Sequence, residues 1–262
     1  MPTNIKVNNI KNSVMNLEEC KNRSYTEVGN KKASDYIRYE LIKYGYKVRK
    51  DRFTYKGRTY HNIIAEMRAS ESPKNYVVCA HFDSNAMGRR GPLKNAPGAD
   101  DNASGVAALL ELSRILWSRK LRVNVVFVYF NLEEEKQRGS KHLARKFMRG
   151  GKRIDGVINL DTIGTWEEPI SKKLPINYVS DERSGALLKL VKRHFPYSLE
   201  RAKEFWLDDH ASFWNEGYEA IELTESGCSG YIHTLKDTHE KLHYENIARI
   251  VDGLREFFTR IN

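Results

Sequence analysis

Residues 123–134 read VNVVFVYFNLEE, an apolar run followed almost directly by glutamates. Val123–Phe130 consists of β-branched and aromatic residues with one polar interruption at Asn124. A short apolar run of this composition predicts a β-strand that is buried on both faces. Strands that are apolar throughout are typical of parallel sheets covered by helices on both sides. The segment therefore predicts an α/β fold, with Glu133 and Glu134 beyond the end of a central strand.

Two further predicted strands also end in potential metal ligands. Tyr76–Phe82 is a short apolar run that contains His81 and is followed by Asp83. Ile154–Leu160 is followed by Asp161. In open parallel sheets, ligands bind beyond the carboxyl ends of the strands, and these ends share one edge. We therefore expect the acidic residues and the histidine to meet at that edge.

Helices alternate with strands along the rest of the chain. Lys47–Tyr55 and His61–Arg68 flank Gly57 and predict a hairpin, and Glu219–Thr224 is a further predicted strand. Apolar residues at helical spacing predict helices over Ala33–Tyr44, Ala103–Trp117, Ser140–Met148, Gly185–His194 and a closing segment, 247–261. The alternation again favours a largely parallel sheet with helices on both faces.

Composition limits the class of protein. The chain has 262 residues, of which 40% are hydrophobic and 30% charged, and this ordinary balance excludes global disorder. No apolar run approaches the roughly 20 residues that cross a bilayer, so we expect no membrane association. The N-terminal residues MPTNIKVNNIKNS lack the apolar stretch of a secretory signal. Cys20, Cys79 and Cys228 form an odd set without a CxxC pair, which favours reduced thiols and a cytoplasmic location.

The net charge of +10 is compatible with nucleic-acid binding or with a well-solvated surface. The densest basic run, Lys136–Arg153, contains one aromatic residue, Phe147. Surfaces that bind single strands combine basic side chains with several aromatic rings on which bases stack. We therefore expect no nucleic-acid partner. Salt-dependent binding to DNA without metal-dependent hydrolysis would favour the alternative.

Ten acidic residues and histidines are candidates for one site: His81, Asp83, Asp100, Asp101, Glu133, Glu134, Asp161, Asp209, His210 and His233. Converging carboxylates repel one another, so either their pKa values rise or a cation lies among them. Histidine nitrogens and carboxylate oxygens suit Zn²⁺, and cobalt or manganese could use the same ligands. These candidates are more than one catalytic zinc requires, and an acid that bridges two metals would explain the surplus.

Taken singly, these motifs have ordinary structural explanations. The acidic pair before Asn102 can be a turn and cap for the helix predicted at Ala103. Residues 133–135 can form a solvated acidic turn. Their occurrence together, at successive strand ends, favours the metal-site interpretation.

In combination the motifs resemble those of the M28 family of zinc peptidases, the aminopeptidases related to bacterial leucyl aminopeptidase. The matching segments are His81-Phe82-Asp83-Ser84, Ala96–Gly105 (APGADDNASG), Glu133-Glu134 with Arg138-Gly139-Ser140, Asn159-Leu160-Asp161, Asp209-His210-Ala211-Ser212-Phe213, and Tyr231-Ile232-His233-Thr234 with Asp237-Thr238. The resemblance extends from near Lys32 to the C-terminus. It implies a single peptidase domain over 1–262, with a three-layer α/β/α sandwich and a mixed, mostly parallel central sheet.

The resemblance implies two zinc ions per chain and assigns their ligands. These are His81 and Asp161 for one ion, Glu134 and His233 for the other, and Asp101 as the bridge, followed by a cis peptide bond to Asn102. Peptides with a free N-terminus are the implied substrates.

Two further acidic residues receive roles from the resemblance without binding metal. Asp83 would hydrogen-bond His81 and fix its tautomer. Glu133 would act as the general base, taking a proton from water and passing it to the leaving amine. The family usually has serine before the Asp-His pair, where this chain has Asp208.

Other functions remain possible on the same fold. Glutaminyl cyclases are acyltransferases that work with a single zinc, whereas the presence of both His81 and Asp161 favours two metals and hydrolysis. Carboxypeptidase relatives carry extra domains, for which 262 residues leave no room. Receptor-like relatives have lost metal ligands, and every ligand position is present here. The sequence carries no signal for an oligomeric state.

Overall fold

An eight-stranded sheet forms the centre of the computed structural model, which describes residues 5–69, 74–89, 91–165, 175–203, 207–225 and 230–261. The strands are β1 (Val48–Tyr55), β2 (Arg58–Met67), β3 (Asn75–His81), β4 (Asn124–Phe130), β5 (Gly156–Leu160), β6 (Ile176–Ser180), β7 (Leu199–Arg201) and β8 (Ala220–Thr224). Their spatial order is β1-β2-β4-β3-β5-β8-β6-β7. Two short strands, Met87–Gly88 and Gly91–Pro92, pair with each other.

The sheet is mixed, and within the described residues four of its seven strand pairings are parallel. The parallel pairs are β4–β3, β3–β5 and β5–β8 in the middle and β6–β7 at one edge. The hairpin β1–β2 and the pairs β2–β4 and β8–β6 are antiparallel. The predicted mixed, mostly parallel sheet is therefore confirmed. Because four adjacent central strands share one direction, their carboxyl ends lie along one edge.

Helices cover both faces of the sheet, as predicted. They are α1 (Val7–Glu18), α2 (Val28–Tyr44), α3 (Gly105–Trp117), α4 (Arg138–Arg149), α5 (Gly185–His194), α6 (Asp209–Trp214) and α7 (Tyr244–Arg260). One apolar cluster joins α1, α2, α3, α5 and α7 to the sheet, and a second cluster joins α4 and α6 to it. Neighbouring strand residues alternate between the clusters, as Val77 and Val78 do, because successive side chains of a strand point to opposite faces.

The two helical layers differ in how they meet solvent. Helix α3 is buried along almost its whole length, which fits its largely apolar sequence, GVAALLELSRILW. Helix α4 is amphipathic and buries Leu143, Ala144 and Phe147 against the sheet. Its outer face carries much of the basic run, yet four basic side chains of that run form ion pairs: Arg145 with Glu216, Lys146 with Asp51, Lys152 with Glu66 and Arg153 with Asp155. These pairs weaken the positive field that the sequence alone suggests.

Several elements were not predicted from the sequence. Helix α1 is rich in asparagine, a poor helix former, although Ile10, Val14 and Leu17 follow helical spacing and are fully buried. The short strands β6 and β7 and the six-residue helix α6 were also missed. The described residues also include two single-turn 3₁₀ helices that were not predicted, Glu182–Ser184 and His239–Lys241. Helix α3 begins at Gly105 rather than Ala103, because a wider, kinked turn over Ala99–Ser104 precedes it.

The expectations of no membrane association and of reduced cysteine thiols can be compared with the part of the chain that the structure describes. There, no helix has both the length and the apolar composition needed to cross a bilayer. Cys20 and Cys79 are both free thiols, and Cys79 is buried. Cys228 lies outside the described residues.

Candidate metal centre

The five residues predicted to bind zinc lie together at the carboxyl edge of the central strands. They are His81, Asp101, Glu134, Asp161 and His233. His81 is the last residue of β3, Asp161 follows β5 directly, and Glu134 follows β4. His233 comes from the connection between β8 and α7. The structure therefore brings these strand ends, which are distant in sequence, together at one edge of the sheet, as expected.

These residues form two clusters that share Asp101. Nε2 of His81 lies 3.2 Å from Oδ1 of Asp101 and 3.4 Å from Oδ2 of Asp161. Nε2 of His233 lies 3.0 Å from Oδ2 of Asp101 and 3.1 Å from Oε2 of Glu134. The two oxygens of one carboxylate thus face different histidines, each of which has its own second carboxylate.

The donor set and its spacing fit two zinc ions. Ligands placed 2.0–2.1 Å from a tetrahedral ion stand about 3.3 Å from one another. The nitrogen–oxygen separations in both clusters, 3.0–3.4 Å, bracket that distance. In addition, Oε1 of Glu134 is buried without a hydrogen-bond partner. A buried, unpaired carboxylate oxygen is costly unless a cation or donor meets it.

Electrostatics also indicate that the site requires positive charge. Burial would lower the pKa of His81, but Asp161 and Asp101 outweigh burial and hold that pKa well above its ordinary value. Hydrogen bonds to Asp101 and Glu134 raise the pKa of His233 to about 11. Burial raises the pKa of Asp161 to about 6 and that of Glu134 to about 7. Protons therefore serve as counter-charges in the cluster, and zinc binding must displace them from both histidines.

Asp83 connects His81 to the glutamate pair. Nδ1 of His81 lies 3.1 Å from the backbone oxygen of Asp83 and 3.5 Å from its Oδ1. A proton on Nδ1 leaves Nε2 unprotonated and free to bind a metal. The Asp83 carboxylate also accepts hydrogen bonds from the backbone N–H groups of Glu133, at 3.1 Å, and Glu134, at 3.2 Å. One side chain thus links two neighbouring strand ends.

Glu133 lies beside the candidate metal ligands but belongs to neither cluster among the described residues. Its side chain is buried, and burial raises its pKa well above the ordinary value. The Gln137 side chain donates a 2.8 Å hydrogen bond to Oε1 of Glu133, a contact that the sequence analysis missed. A carboxylate with a raised pKa that binds no metal can accept a proton.

Asp101 is positioned by contacts that are remote in sequence. The carboxylate of Asp237 accepts the backbone N–H groups of Asp100, at 2.7 Å, and Asp101, at 3.1 Å. The peptide bond from Asp101 to Asn102 is cis, as the family resemblance implied. The Asn102 side chain then donates to the backbone oxygen of Leu160, the residue before Asp161. The bridging candidate is thereby tied to the end of β5.

Three other sequence candidates lie nearby, and two of them, Asp100 and His210, make side-chain hydrogen bonds, whereas both carboxylate oxygens of Asp209 are buried without a hydrogen-bond partner in the described structure. Oδ1 of Asp100 accepts the backbone N–H of Gly164 at 2.8 Å, and burial raises the pKa of Asp100 well above its usual range. Asp209 is fully buried at the start of α6. His210 points Nδ1 at Oε2 of Glu222, 2.7 Å away.

A third acidic cluster was missed by the sequence analysis. Ligand atoms of Asp161, Asp208 and Glu222 lie within 4.8 Å of one another. Glu222 is a single acidic residue inside the apolar strand β8, so no repeated pattern marked it. Asp208 stands where the family usually has serine, and this departure was the available signal.

Comparisons with known proteins agree with the fold and with the motifs. A sequence profile described as peptidase family M28 matches residues 62–258. A probable leucine aminopeptidase 1 of Trichophyton verrucosum is 25% identical over 279 residues, which cover 97% of this chain and 73% of the relative.

Two solved structures illustrate the fold and the two chemistries found on it. An aminopeptidase from Aneurinibacillus sp. strain AM-1 has a TM-score of 0.81 and 17% identity, covering 97% of this chain and 93% of that one. A glutaminyl cyclase from Fimbriiglobus ruber has a TM-score of 0.85 and 18% identity, covering 100% of this chain and 97% of that one. At this level of identity both establish the fold, and the choice between the chemistries rests on the site.

Proposed function

The chain belongs to peptidase family M28, a family of hydrolases, and from that premise we propose that it is a di-zinc aminopeptidase. The observation that carries the proposal is the division of the Asp101 carboxylate between His81 and His233. A carboxylate with one oxygen in each of two ligand clusters suits a bridge between two ions. Two-metal hydrolases, aminopeptidases included, use such paired sites.

His81 and Asp161 would hold one zinc ion and Glu134 and His233 the other, with Asp101 common to both. Bound there, zinc supplies Lewis-acid polarisation of the scissile carbonyl and lowers the pKa of water to near neutrality. Asp83 supports this arrangement, because its contacts with the His81 ring and with the backbone of Glu134 restrain one ligand of each cluster.

Glu133 is proposed as the general base. Its carboxylate would accept a proton from the attacking water and return it to the nitrogen of the leaving amine. The hydrogen bond from Gln137 restrains Oε1 and leaves Oε2 as the oxygen that takes the proton. Since Glu133 makes no cluster contact within the described residues, proton transfer does not compete with metal binding.

A substrate with a free α-amino group suits the charge around the centre. Carboxylates of Asp161, Asp208 and Glu222 gather on one side of it. Asp161 and Glu222 are buried and Asp208 is partly exposed, so a protonated terminal amine would be attracted to this cluster at Asp208, whereas an internal peptide bond carries no positive charge. We therefore infer removal of residues from the N-terminus.

Glutaminyl cyclisation with a single zinc is the second candidate, because a glutaminyl cyclase shares the fold at a TM-score of 0.85. The close approach of His81 to both Asp101 and Asp161 favours the two-metal alternative. Cyclisation would need only the cluster around Glu134 and His233.

A panel of aminoacyl amides and one N-terminal glutaminyl peptide tests the proposal. We expect the purified protein to release free N-terminal amino acids and to form no pyroglutamate. Removal of metal with a chelator should lower kcat/KM by at least about 100-fold, and added Zn²⁺ should restore it. Pyroglutamate formation without hydrolysis would favour the cyclase, and hydrolysis that survives complete metal removal would exclude both.

A further inference from the structure

Arg23 lies between α1 and α2, outside the residues that the family profile matches, and its side chain is fully buried. The guanidinium donates to four backbone oxygens. Nε donates to the backbone oxygen of Phe82 at 2.8 Å, and Nη2 donates to the backbone oxygen of Gly98 at 2.8 Å. Nη1 donates to two backbone oxygens, those of Pro97 at 2.6 Å and Leu17 at 3.2 Å. A guanidinium is suited to this task because its N–H donors are fixed in one plane.

Three of the four acceptors, Phe82, Pro97 and Gly98, belong to the two segments that carry the proposed metal ligands His81 and Asp101. Phe82 directly follows His81, and Gly98 precedes Asp101 by three residues. Ser84 adds a second connection, since its hydroxyl accepts the backbone N–H of Arg23 at 3.1 Å and donates to the backbone oxygen of Ala96 at 2.8 Å. Arg23 therefore joins the end of β3 to the turn that holds the bridging carboxylate.

The approach of the guanidinium to that turn depends on glycine. Gly98 has φ +54°, and a Cβ at this position would lie 2.7 Å from Nη2 of Arg23 and 2.4 Å from the backbone oxygen of Asp101. Both contacts are too short for a carbon atom. The close approach of the Arg23 guanidinium to the segment before Asp101 therefore requires glycine at position 98.

We propose that Arg23 is a positioning residue that holds His81 and Asp101 at the separation required by their shared zinc ion. The proposal rests on the proposed two-metal function, because it assigns these residues to one ion. Arg23 acts through the backbone on both sides and touches no metal ligand side chain in the described contacts. Its buried positive charge also interacts with the carboxylates of Asp237, Asp101 and Asp83 and so offsets the repulsion among them.

Zinc affinity of the metal-free protein tests this role. In a His233→Ala background, which leaves the cluster of His81, Asp101 and Asp161, we expect Arg23→Lys to weaken zinc binding by about 10–100-fold. Lysine keeps the charge but cannot reach four carbonyl oxygens in fixed directions. Binding is measured by competition with a chromophoric chelator, so the readout does not depend on turnover.

Leu17→Ala is the control for general loss of stability. It opens a cavity in the same part of the core but leaves the backbone oxygen that Arg23 contacts, so it should lower Tm and change zinc affinity by less than about twofold. If Arg23→Lys fails to fold, Ser84→Ala replaces it, with an expected weakening of about 3–10-fold through loss of the second connection.

The outcomes separate this inference from the proposed function. Zinc affinity within about twofold of the parent in Arg23→Lys, or in Ser84→Ala if that variant replaces it, would overturn the positioning role. The positioning role would also be overturned if Leu17→Ala weakened zinc binding as much as Arg23→Lys does while the two variants had the same Tm. A parent protein that binds no zinc at all would instead overturn the two-metal function.

Discussion

Replacement of Glu133 by glutamine is expected to lower kcat on a leucyl amide by about 10²–10⁴-fold while both zinc ions remain bound. Glutamine keeps the size and the hydrogen bond from Gln137 but cannot accept a proton from water. Since Glu133 lies outside both ligand clusters of the described chain, its loss should leave metal binding intact. Steady-state kinetics and elemental analysis on the same preparation measure the two effects.

Glu135→Gln is the matched control for this substitution. Glu135 lies two residues further on and accepts a hydrogen bond from the Tyr55 hydroxyl. It should retain kcat within about twofold, because it has no place in the proton transfer. Near-normal turnover in Glu133→Gln would remove Glu133 from the mechanism, and loss of zinc in that variant would make it a ligand instead.

Replacement of Asp101 by asparagine is expected to reduce zinc content from two ions per chain to one or none. Asparagine keeps one oxygen but places an N–H₂ group toward the other histidine, where it cannot bind a metal. Several kcal/mol of transition-state stabilisation depend on the paired ions, so kcat/KM should fall by at least about 10³-fold. Elemental analysis and kinetics at saturating zinc give the two readouts.

Asp100→Asn is the control for that substitution, since the two residues are adjacent and both are buried. Its Oδ1 contact with the backbone N–H of Gly164 can persist in an amide. Burial raises the pKa of Asp100, so a neutral side chain resembles its favoured state. Two bound zinc ions are expected in Asp100→Asn. Full zinc content in Asp101→Asn would contradict the bridge.

The strand ends could be predicted from the sequence because their signal is local. A buried apolar run stops abruptly, a titratable residue follows, and parallel strands place such ends along one edge. His81 and Asp161 are found in this way, and Glu133 and Glu134, which come shortly after the end of β4, follow the same rule. The fold class follows from the same runs, since strands that are apolar on both faces must be covered on both sides.

The features that escaped prediction depend on contacts between distant parts of the chain. Arg23 is one charged residue in an ordinary-looking loop, and its burial follows from carbonyl oxygens on three other segments. The backbone at Asp101 leaves helical geometry within a segment that otherwise suggests a helix cap. Asp237, far along the chain, accepts its N–H group. Pattern analysis of one sequence carries no information about such partners.

Glu222 and Asp208 show a related difficulty. A single glutamate inside an apolar strand changes the hydrophobic pattern little, yet Glu222 contacts both His210 and Asn159 and lies close to Asp161 of the candidate metal site. Asp208 was noted only as a departure from the family pattern. Its proximity to Asp161 depends on the packing of α6 against β5 and β8, which sequence spacing does not specify.

Anomalous diffraction at the zinc absorption edge, from crystals of the zinc-loaded protein, tests the central claim most directly. Two peaks about 3.5–4 Å apart are expected, with Asp101 bound to both. His81 and Asp161 should complete the ligands of one ion, and Glu134 and His233 those of the other. A single peak, or two peaks that do not share Asp101, would contradict the account.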